Sequence, residues 1–375
     1  MVKRKLKIGV LFGGRSTEHE VSLVSAASVM ANLNRSKYEV IPIGITRNGT
    51  WLYGPKAHKL LTQRKHIPSS LRAILPPEPL IHGIGPLARP MSRIKALDAI
   101  FPVLHGTFGE DGAIQGFLEL TGIPYVGSGV LGSATGMDKV VQKLLFQRLD
   151  IPTAKFVYIS STDYFKNTND FIKLVTKQIG FPCFIKPPNL GSSVGISKAK
   201  NIRELKLGIH YALKFDRTVM VEKGIIDAWE IECAVLGNNN PVASMGGRII
   251  SSNEFYDYDA KYIDGKSQTV IPANISHMMM RKIQDISKKA FKILDLAGMA
   301  RVDFLVQPKL RKIYLNEVNT IPGFTSISMY PKLWEASGMT YTKLLDKLIN
   351  LALERGQVRK KLLTSYRPRK QWYRK

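Results

Sequence analysis

Two neighbouring segments decide how this chain is expected to fold: Arg301-Val302-Asp303-Phe304-Leu305-Val306 and, after a Gln307-Pro308-Lys309 turn, Ile313-Tyr314-Leu315-Asn316-Glu317-Val318-Asn319. Polar and apolar residues alternate in both, which predicts two strands of a hairpin because successive strand side chains point to opposite faces. Arg301 then shares a face with Asp303, and Glu317 shares a face with Asn319. We therefore expect two acids, an amide and a guanidinium to converge beside an apolar layer.

This polar cluster has two interpretations. Carboxylate and amide oxygens are hard ligands that suit Mg²⁺, which usually binds through one or two carboxylates together with substrate phosphates. On that interpretation the cluster indicates phosphoryl chemistry. The alternative is an ordinary solvated strand face, and the cluster alone does not decide between them.

Composition limits the class of protein. The 375-residue chain is long enough for two or three domains, and its 44% hydrophobic and 22% charged residues are typical of a soluble globular protein. Cys183 and Cys233 lie in apolar, strand-like segments without metal-ligand spacing, which predicts buried thiols and a reducing compartment. No apolar run approaches the ~20 residues that cross a bilayer, so we expect no stable membrane insertion.

The net charge of +26 is unusually high, with 55 Lys and Arg against 29 Asp and Glu. Part of it lies in residues 359–375, where basic residues alternate with Tyr366, Trp372 and Tyr373 and no acid is present. Such a tail can bind nucleic acid or an anionic membrane surface. A solvating tail is the simpler interpretation and is favoured, with a weak anionic partner left open.

The order of elements predicts two kinds of sheet. Up to about residue 150, strands alternate with helices (for example residues 6–12 and 38–45), which predicts a parallel sheet wrapped by helices. Residues 54–95 are rich in Pro and Gly and are expected to be irregular. A short strand is predicted at 124–126 and a helix from about Met137 to Leu149. From about residue 154, short β-type segments, among them Gly195–Ser197, predict a mostly antiparallel α+β region. A helix is predicted from about 279 to 297, with Gly298 as the glycine that follows it. The predicted fold class is therefore α/β followed by α+β.

A Gly- and Ser-rich loop, Pro188-Asn189-Leu190-Gly191-Ser192-Ser193-Val194-Gly195, lies between two predicted strands, and Lys186 precedes it. Small residues let backbone N–H groups approach an oxyanion, and a lysine adds a compact positive charge. A plain hairpin turn is the alternative. The acid cluster downstream favours a loop that covers phosphates.

Three acidic residues stand at further candidate positions. Glu222 and Glu230 lie at strand ends, where they can contact an adenine amino group and ribose hydroxyls or be ordinary surface charges. Glu18 follows a Gly13-Gly14 turn at the start of a helix. It is either a first-turn acid that favours the helix dipole or a ligand for a substrate ammonium.

Taken together, these motifs resemble the D-alanine–D-alanine ligases of the ATP-grasp superfamily. The matching segments run in family order and are Gly13–Ser22, Leu104–Gly112, Met137–Lys139, Lys186-Pro187, Gly191–Gly195, Phe255–Tyr262, Arg301–Phe304, Asn316–Thr320 and Pro322–Thr325. The departures are Ile321, where many members have a small residue, and the basic tail. The resemblance covers roughly residues 6–355 and implies an ATP-grasp fold preceded by a parallel-sheet domain.

The resemblance implies an activity, namely the joining of two D-alanines through an acylphosphate for peptidoglycan precursor synthesis, with ATP and two Mg²⁺ ions (Mn²⁺ as a substitute). It also implies residue roles. The implied ATP ligands are Lys139, Lys186, Ser193, Glu222, Glu230 and Lys261, and the implied metal ligands are Asp303, Glu317 and Asn319. The implied catalytic residues are Glu18, Ser192, Tyr262, Arg301, Gly323 and Ser328, with His105 and Met329 at the substrates. Tyrosine at 262 favours an amino acid over a hydroxy acid as second substrate.

Further expectations concern organisation. We expect an N-terminal domain (1–136), a central ATP-grasp subdomain (137–225), a C-terminal metal-binding domain (226–358) and the tail (359–375). The resemblance further implies a cytoplasmic homodimer. Two alternatives remain open, another ATP-grasp carboxylate–amine ligase and a non-catalytic protein that binds nucleic acid or membrane through its basic surface.

Overall fold

The computed structural model of the protein describes residues 4–87, 94–250 and 268–366. The strands of these ranges are β1 (Leu6–Gly13), β2 (Tyr38–Ile45), β3 (Trp51–Tyr53), β4 (Ala73–Ile74), β5 (Gly83–Pro86), β6 (Lys95–Ala96), β7 (Ala99–Pro102), β8 (Phe156–Ser160), β9 (Cys183–Lys186), β10 (Ser197–Ala199), β11 (Thr218–Lys223), β12 (Trp229–Gly237), β13 (Val242–Ile250), β14 (Gln268–Val270), β15 (Gly298–Gln307) and β16 (Lys312–Asn319). The helices are α1 (His19–Asn32), α2 (Ala57–Thr62), α3 (Ala113–Thr121), α4 (Val130–Met137), α5 (Lys139–Arg148), α6 (Ser161–Lys166), α7 (Thr168–Gln178), α8 (Ile202–Ala212), α9 (His277–Ile293), α10 (Met329–Ala336) and α11 (Tyr341–Lys360).

The N-terminal sheet has the order β3-β2-β1-β7, in which β1 pairs in parallel with both β2 and β7. This confirms the predicted parallel sheet. The short β3 joins its edge in the antiparallel direction. A predicted strand at 124–126 is reduced to a single parallel bridge between Tyr125 and Ile100. The carboxyl ends of β1 and β7 deliver the loops at residues 13–18 and 103–112 to one edge of the sheet.

The segment expected to be irregular is partly regular. Helix α2 lies within it, and β4, β5 and β6 form a small antiparallel sheet. The expectation was wrong because these strands are only two to four residues long, too short for a period-two pattern to be visible.

The central sheet, β10-β9-β11-β8, is antiparallel throughout, as predicted for this region. One boundary differs from expectation: the strand predicted at 195–197 begins only at Ser197. Gly195 has a φ of +76°, so it belongs to the turn and not to the strand.

The third sheet, β14-β13-β12-β15-β16, is also antiparallel and contains the hairpin predicted at the outset. Helix α9 covers it and ends at Ile293, four residues earlier than the apolar spacing predicted. Gly298, expected to follow the helix as its C-terminal glycine, instead begins β15 with a φ of +75°.

The helix predicted from about Met137 to Leu149 is confirmed as α5, which begins at Lys139 and ends at Arg148, and a further helix, α4, precedes it. The two helices are separated at Asp138. Its carboxylate caps α5 by accepting from the N–H groups of Val140 (2.9 Å) and Val141 (3.0 Å). Helix α4 was missed because it contains Gly132 and Gly136, which disfavour helix in isolation. Packing requires both, since a Cβ on Gly132 would collide with the Asp295 carbonyl and one on Gly136 with Thr320.

One buried apolar cluster joins the first sheet to the C-terminal helices. It contains Ile8 and Val10 of β1, Tyr330 of α10, and Leu344 and Leu348 of α11. The two cysteines are buried and free in β9 and β12, as predicted. Within the described ranges, no helix combines the length and apolar character that spanning a membrane requires.

Candidate active site

The hairpin brings its four polar side chains together as predicted. Arg301 is the register partner of Asn319, and Asp303 is the register partner of Glu317. Arg301 donates two hydrogen bonds to the Asp303 carboxylate, from Nε at 2.8 Å and from a terminal nitrogen at 2.7 Å. Asn319 Nδ2 donates to the same carboxylate at 2.9 Å. A register shift after Asp303 marks a bulge, a feature that re-aims side chains near functional sites.

A fifth residue, Glu232 of β12, completes this group and was missed from the sequence. Its Oε2 lies 3.0 Å from Arg301 Nε, on the strand next to β15. Burial lowers the pKa of Arg301, but attraction first to Asp303 and then to Glu232 raises it above its usual value. The available signal was the alternation of Glu230 and Glu232 in β12, which places both on one face.

Lys139 links the hairpin to the Gly/Ser loop. It stands at the start of α5 and is 7% exposed. Its ammonium lies 3.2 Å from Glu317 Oε2 and donates to the Leu190 carbonyl at 2.7 Å. A predicted phosphate-binding lysine therefore contacts both the predicted phosphate loop and a predicted metal ligand.

Lys186 is the second predicted phosphate-binding lysine, and it forms part of a buried ionic group. Its ammonium pairs with Glu222 Oε1, and Lys143 lies 2.9 Å from the other oxygen of the same carboxylate. Burial raises the pKa of Glu222, but Lys143 and Lys186 outweigh it and lower the pKa to about 2. The Glu222 side chain, expected at the adenine, thus faces two lysines. Lys143 was missed from the sequence.

Some of these groups line a cavity of about 70 Å³. Its walls include the predicted residues Lys186, Ser193, Glu230, Arg301, Asp303 and Glu317. Residues from β9, the loop after it, β12, β15 and β16 thus share one space, although up to 131 positions separate them in the chain. A cavity lined by an acid cluster, by the cations Lys186 and Arg301 and by part of a Gly/Ser loop can bind a phosphorylated ligand.

Glu18 lies on the side of the N-terminal sheet. It is 6% exposed, and it accepts a hydrogen bond from the Ser192 hydroxyl. Two glycines leave room for it, because a Cβ on Gly191 would lie 2.8 Å from Glu18 Oε2 and a Cβ on Gly106 would be closer still. Gly106 also has a φ of +70°. Glu18 and Ser192, both among the implied catalytic residues, are therefore brought together although they adjoin separate sheets.

His105 is buried and has two hydrogen-bond partners. Its Nδ1 lies 3.1 Å from the Ile321 carbonyl, which requires a proton on that nitrogen, and its Nε2 lies 3.2 Å from Ser25 Oγ. Burial lowers the pKa of His105 to about 4, so the ring is neutral at pH 7. These bonds tie the turn after β7 to the segment that follows β16, which supports a structural role beside the predicted position at a substrate.

Glu110 makes a second tie between the same segments and was not among the predicted site residues. Its two oxygens accept from the N–H groups of Gly106 (2.8 Å) and Ile321 (3.1 Å). Burial, and then the nearby charge of Glu18, raise the pKa of Glu110 to about 8.

The remaining predicted residues lie around the start of α10. A Cβ on Gly323 would lie 2.7 Å from Ser328 Oγ, so the two residues are in close contact. Ser328 Oγ accepts from the Thr325 N–H at 3.0 Å. The Met329 side chain is buried in the apolar cluster, which leaves its backbone for any substrate contact. Tyr262 and Lys261 lie outside the described residues.

The hairpin fits a magnesium site by the chemistry of its donors. Asp303, Glu317 and Asn319 offer two carboxylates and an amide oxygen, the ligands that Mg²⁺ prefers. In the ranges that the structure covers, no three His, Cys, Asp or Glu residues lie together in an arrangement that could hold a metal ion by themselves. A metal at this position would need a mixed set of ligands that the bound molecule completes, as is usual for Mg²⁺ with nucleotide phosphates.

Comparisons with known proteins agree with this geometry. The family models described as D-ala D-ala ligase N-terminus and C-terminus match residues 7–128 and 145–350. The D-alanine--D-alanine ligase of Natranaerobius thermophilus is 49% identical over 364 residues, 97% of this chain and 99% of that protein.

Solved structures give the same result. The D-alanine-D-alanine ligase from Coxiella burnetii has a TM-score of 0.82 at 37% identity, covering 96% of this chain and 97% of that one. The VanG D-Ala:D-Ser ligase from Enterococcus faecalis has a TM-score of 0.82 at 38% identity, covering 93% of this chain and 100% of that one. The chain therefore belongs to the D-alanine–D-alanine ligase family, the ATP-dependent, ADP-forming carbon–nitrogen ligases with the ATP-grasp fold.

Proposed function

We propose that the protein binds MgATP in the cavity beside Lys186 and joins two molecules of D-alanine next to it, on the side of Glu18. One observation carries the proposal. The Gly/Ser loop contacts Lys139 through the Leu190 carbonyl and contacts Glu18 through Ser192. A single loop therefore adjoins both a site suited to phosphates and a buried carboxylate suited to an ammonium.

The nucleotide end uses cations and loop donors. Lys139 and Lys186 bind phosphate oxygens, with Ser193 and the neighbouring backbone N–H groups as further donors. Glu230 binds the ribose hydroxyls. The Glu222 side chain keeps Lys186 in place. The contact with adenine that was predicted for Glu222 is therefore proposed for its backbone. Lys261 is proposed to reach the transferred γ-phosphate.

Asp303, Glu317 and Asn319 are proposed to hold two Mg²⁺ ions, or Mn²⁺ in their place. Divalent ions would neutralise the negative charge at the transferring phosphoryl group, which the carboxylate and amide oxygens of the chain cannot do. The role of the chain is to fix the geometry of these ligands. Arg301 does so for Asp303 by holding both of its carboxylate oxygens.

The reaction has two steps. An oxygen of the first D-alanine carboxylate attacks the γ-phosphorus, the bond to the β-phosphate oxygen breaks, and ADP leaves. The amine of the second D-alanine, having lost a proton, then attacks the acyl carbon, and the carbon–oxygen bond to phosphate breaks. Arg301 and the Gly323 N–H are proposed to stabilise the tetrahedral oxyanion, a contribution of ~10²–10³ in rate for each such donor.

Substrate positions are proposed from the family resemblance, and the burial of the Glu18 carboxylate supports its part in them. Glu18 binds the ammonium of the first D-alanine, beside His105. Ser328, with the Met329 backbone, binds the carboxylate of the second. Tyr262 is proposed to join Glu18 and Ser192 and to close the site, which keeps water from the acylphosphate. It also favours an amine over a hydroxyl as nucleophile.

The proposed domain organisation is the one predicted from the sequence. It comprises an N-terminal domain (1–136), a central subdomain (137–225), a C-terminal domain (226–358) and a basic tail (359–375). We further propose a cytoplasmic homodimer. The basic tail adds at most a weak contact with an anionic partner.

The test is phosphate release from MgATP with the products identified by mass. D-alanine should yield D-alanyl-D-alanine with one ADP and one phosphate for each dipeptide, and L-alanine should yield none. Parallel reactions with D-serine and D-lactate as second substrates define specificity. ATP turnover without dipeptide would reassign the substrate to another carboxylate–amine ligase, and no turnover at all would favour the binding-protein alternative.

A further inference from the structure

Lys143 is a buried cation without a role in the reaction described above. It lies on α5, one turn after Lys139, and it is 1% exposed. Glu222 is its only ion-pair partner in the described part of the chain, at 2.9 Å. The other oxygen of Glu222 pairs with Lys186. One carboxylate therefore lies between two ammonium groups.

The arrangement is held by four elements. Glu222 of β11 is the register partner of Phe156 on β8 and of Phe184 on β9. The Lys143 ammonium lies 5.9 Å from the Phe156 ring centre, and the Lys186 ammonium lies 5.9 Å from the Phe184 ring centre. Both cations thus rest on aromatic rings and share one anion, which fixes Lys186 between α5 and the central sheet.

Charge explains why a second lysine is useful here. A carboxylate paired with Lys186 alone would cancel the positive charge that faces the cavity. With Lys143 as a second partner, the group of three carries a net charge of +1, and Glu222 is balanced by a lysine that does not line the cavity. A purely structural group would be served as well by apolar side chains of similar volume, which often stabilise a protein at least as much as a buried ion pair.

We propose that Lys143 is a positioning residue that acts through Glu222, keeping the Lys186 ammonium in place and its charge available to the nucleotide phosphates. The inference rests on the proposed function in one respect, that Lys186 contacts ATP phosphates. Lys143 itself is shielded by Glu222 and touches no substrate.

The experiment is a double-mutant cycle on the full chain. Lys143→Met removes the ammonium and keeps the length of the side chain, and Glu222→Gln removes the carboxylate charge. Both single variants and the double variant are compared with the unmodified protein for equilibrium binding of MgATP, MgADP and adenosine. Lys177→Met, at an exposed position on α7, controls for the loss of one positive charge from the whole protein.

Lys143→Met should weaken MgATP and MgADP binding by about tenfold, the change expected when contacting charges are uncoupled. Adenosine has no phosphates, so its affinity should stay within about twofold, within the scatter of independent sites. In the Glu222→Gln background the same lysine substitution should change MgATP affinity by less than about threefold, because no uncompensated carboxylate remains. Lys177→Met should bind all three ligands normally.

Several results would overturn the inference. Equal losses for adenosine and MgATP would show a structural role, and an equally large loss in the Glu222→Gln background would show that the charge of Glu222 is not involved. If Lys143→Met alone fails to fold, the comparison of Glu222→Gln with the double variant still decides. If the unmodified protein fails to bind MgATP, the proposed function is overturned as well. If the unmodified protein and Lys143→Met bind MgATP equally well, only this inference is overturned.

Discussion

Replacement of Gly106 by alanine tests the placement of Glu18. Gly106 has a φ of +70°, and an added Cβ would lie under 3.0 Å from both Glu18 Oε2 and Ser16 Oγ. The left-handed backbone costs about 1–2 kcal/mol for a residue with a Cβ. Displacing the Glu18 carboxylate from Ser192 removes a hydrogen bond to a charged group, worth about 1.5–3 kcal/mol.

We therefore expect Gly106→Ala to lose about 2.5–5 kcal/mol of unfolding free energy. The carboxylate contribution should also reduce kcat/KM for the first D-alanine by about 10–100-fold. Chemical denaturation measures the first quantity, and initial rates at saturating MgATP measure the second.

The chain offers a matched control in Gly338, which has a φ of +90° and no atom within 4 Å of an added Cβ. Gly338→Ala should lose only the backbone contribution of about 1–2 kcal/mol and keep normal kinetics. The reasoning is refuted if Gly106→Ala keeps the kcat/KM of the control, since Glu18 would then tolerate displacement.

Other predictions address pH, metal and packing. Because burial lowers the pKa of His105 from 6.5 to about 4, its folded form binds protons less readily, and stability falls as pH decreases from 6.5 toward 4. His105→Gln should remove up to about 3 kcal/mol of that pH dependence, measured by denaturation at each pH. Asp303→Asn should raise the Mg²⁺ concentration needed for half-maximal rate by at least about tenfold, and unchanged Mg²⁺ dependence would count against the proposed site. Chelation of divalent ions should abolish turnover, and added Mg²⁺ or Mn²⁺ should restore it. Arg355 lies 4.4 Å from the Tyr125 ring centre and donates to its carbonyl at 3.1 Å, so Arg355→Ala should cost about 1–2 kcal/mol of stability and leave kcat unchanged.

Much of the site was predictable because its key groups are local in sequence. A period-two pattern and one short turn suffice to place Arg301 beside Asp303 and Glu317 beside Asn319, and the structure confirms that register. The family and the fold class were likewise predicted from motifs in order along the chain and are confirmed by the comparisons.

Residues whose surroundings come from distant segments were not predictable. Lys143, one helical turn after Lys139, has the sequence character of an exposed helix lysine. Its burial depends on β11, which lies about 80 positions later and supplies Glu222. Glu232 was missed for the same reason, since its partner Arg301 lies about 70 positions later in the chain, in β15. Sequence patterns report which face a residue occupies, and not which strand becomes its neighbour.

The charges around the cavity bear on why metal and nucleotide should bind together. When ionised, the side chains described for this site carry four positive and five negative charges. They are Lys139, Lys143, Lys186 and Arg301 on one side, and Glu222, Glu230, Glu232, Asp303 and Glu317 on the other. Three of the four cations are already bound within about 3.2 Å to carboxylates of the same group, and the fourth, Lys186, is paired with Glu222. This part of the site therefore has no surplus positive charge with which to hold a polyanion. Divalent ions on Asp303 and Glu317 would reverse that balance and release Lys139 from Glu317 toward the phosphates, so ATP affinity should depend steeply on Mg²⁺ while adenosine affinity should not.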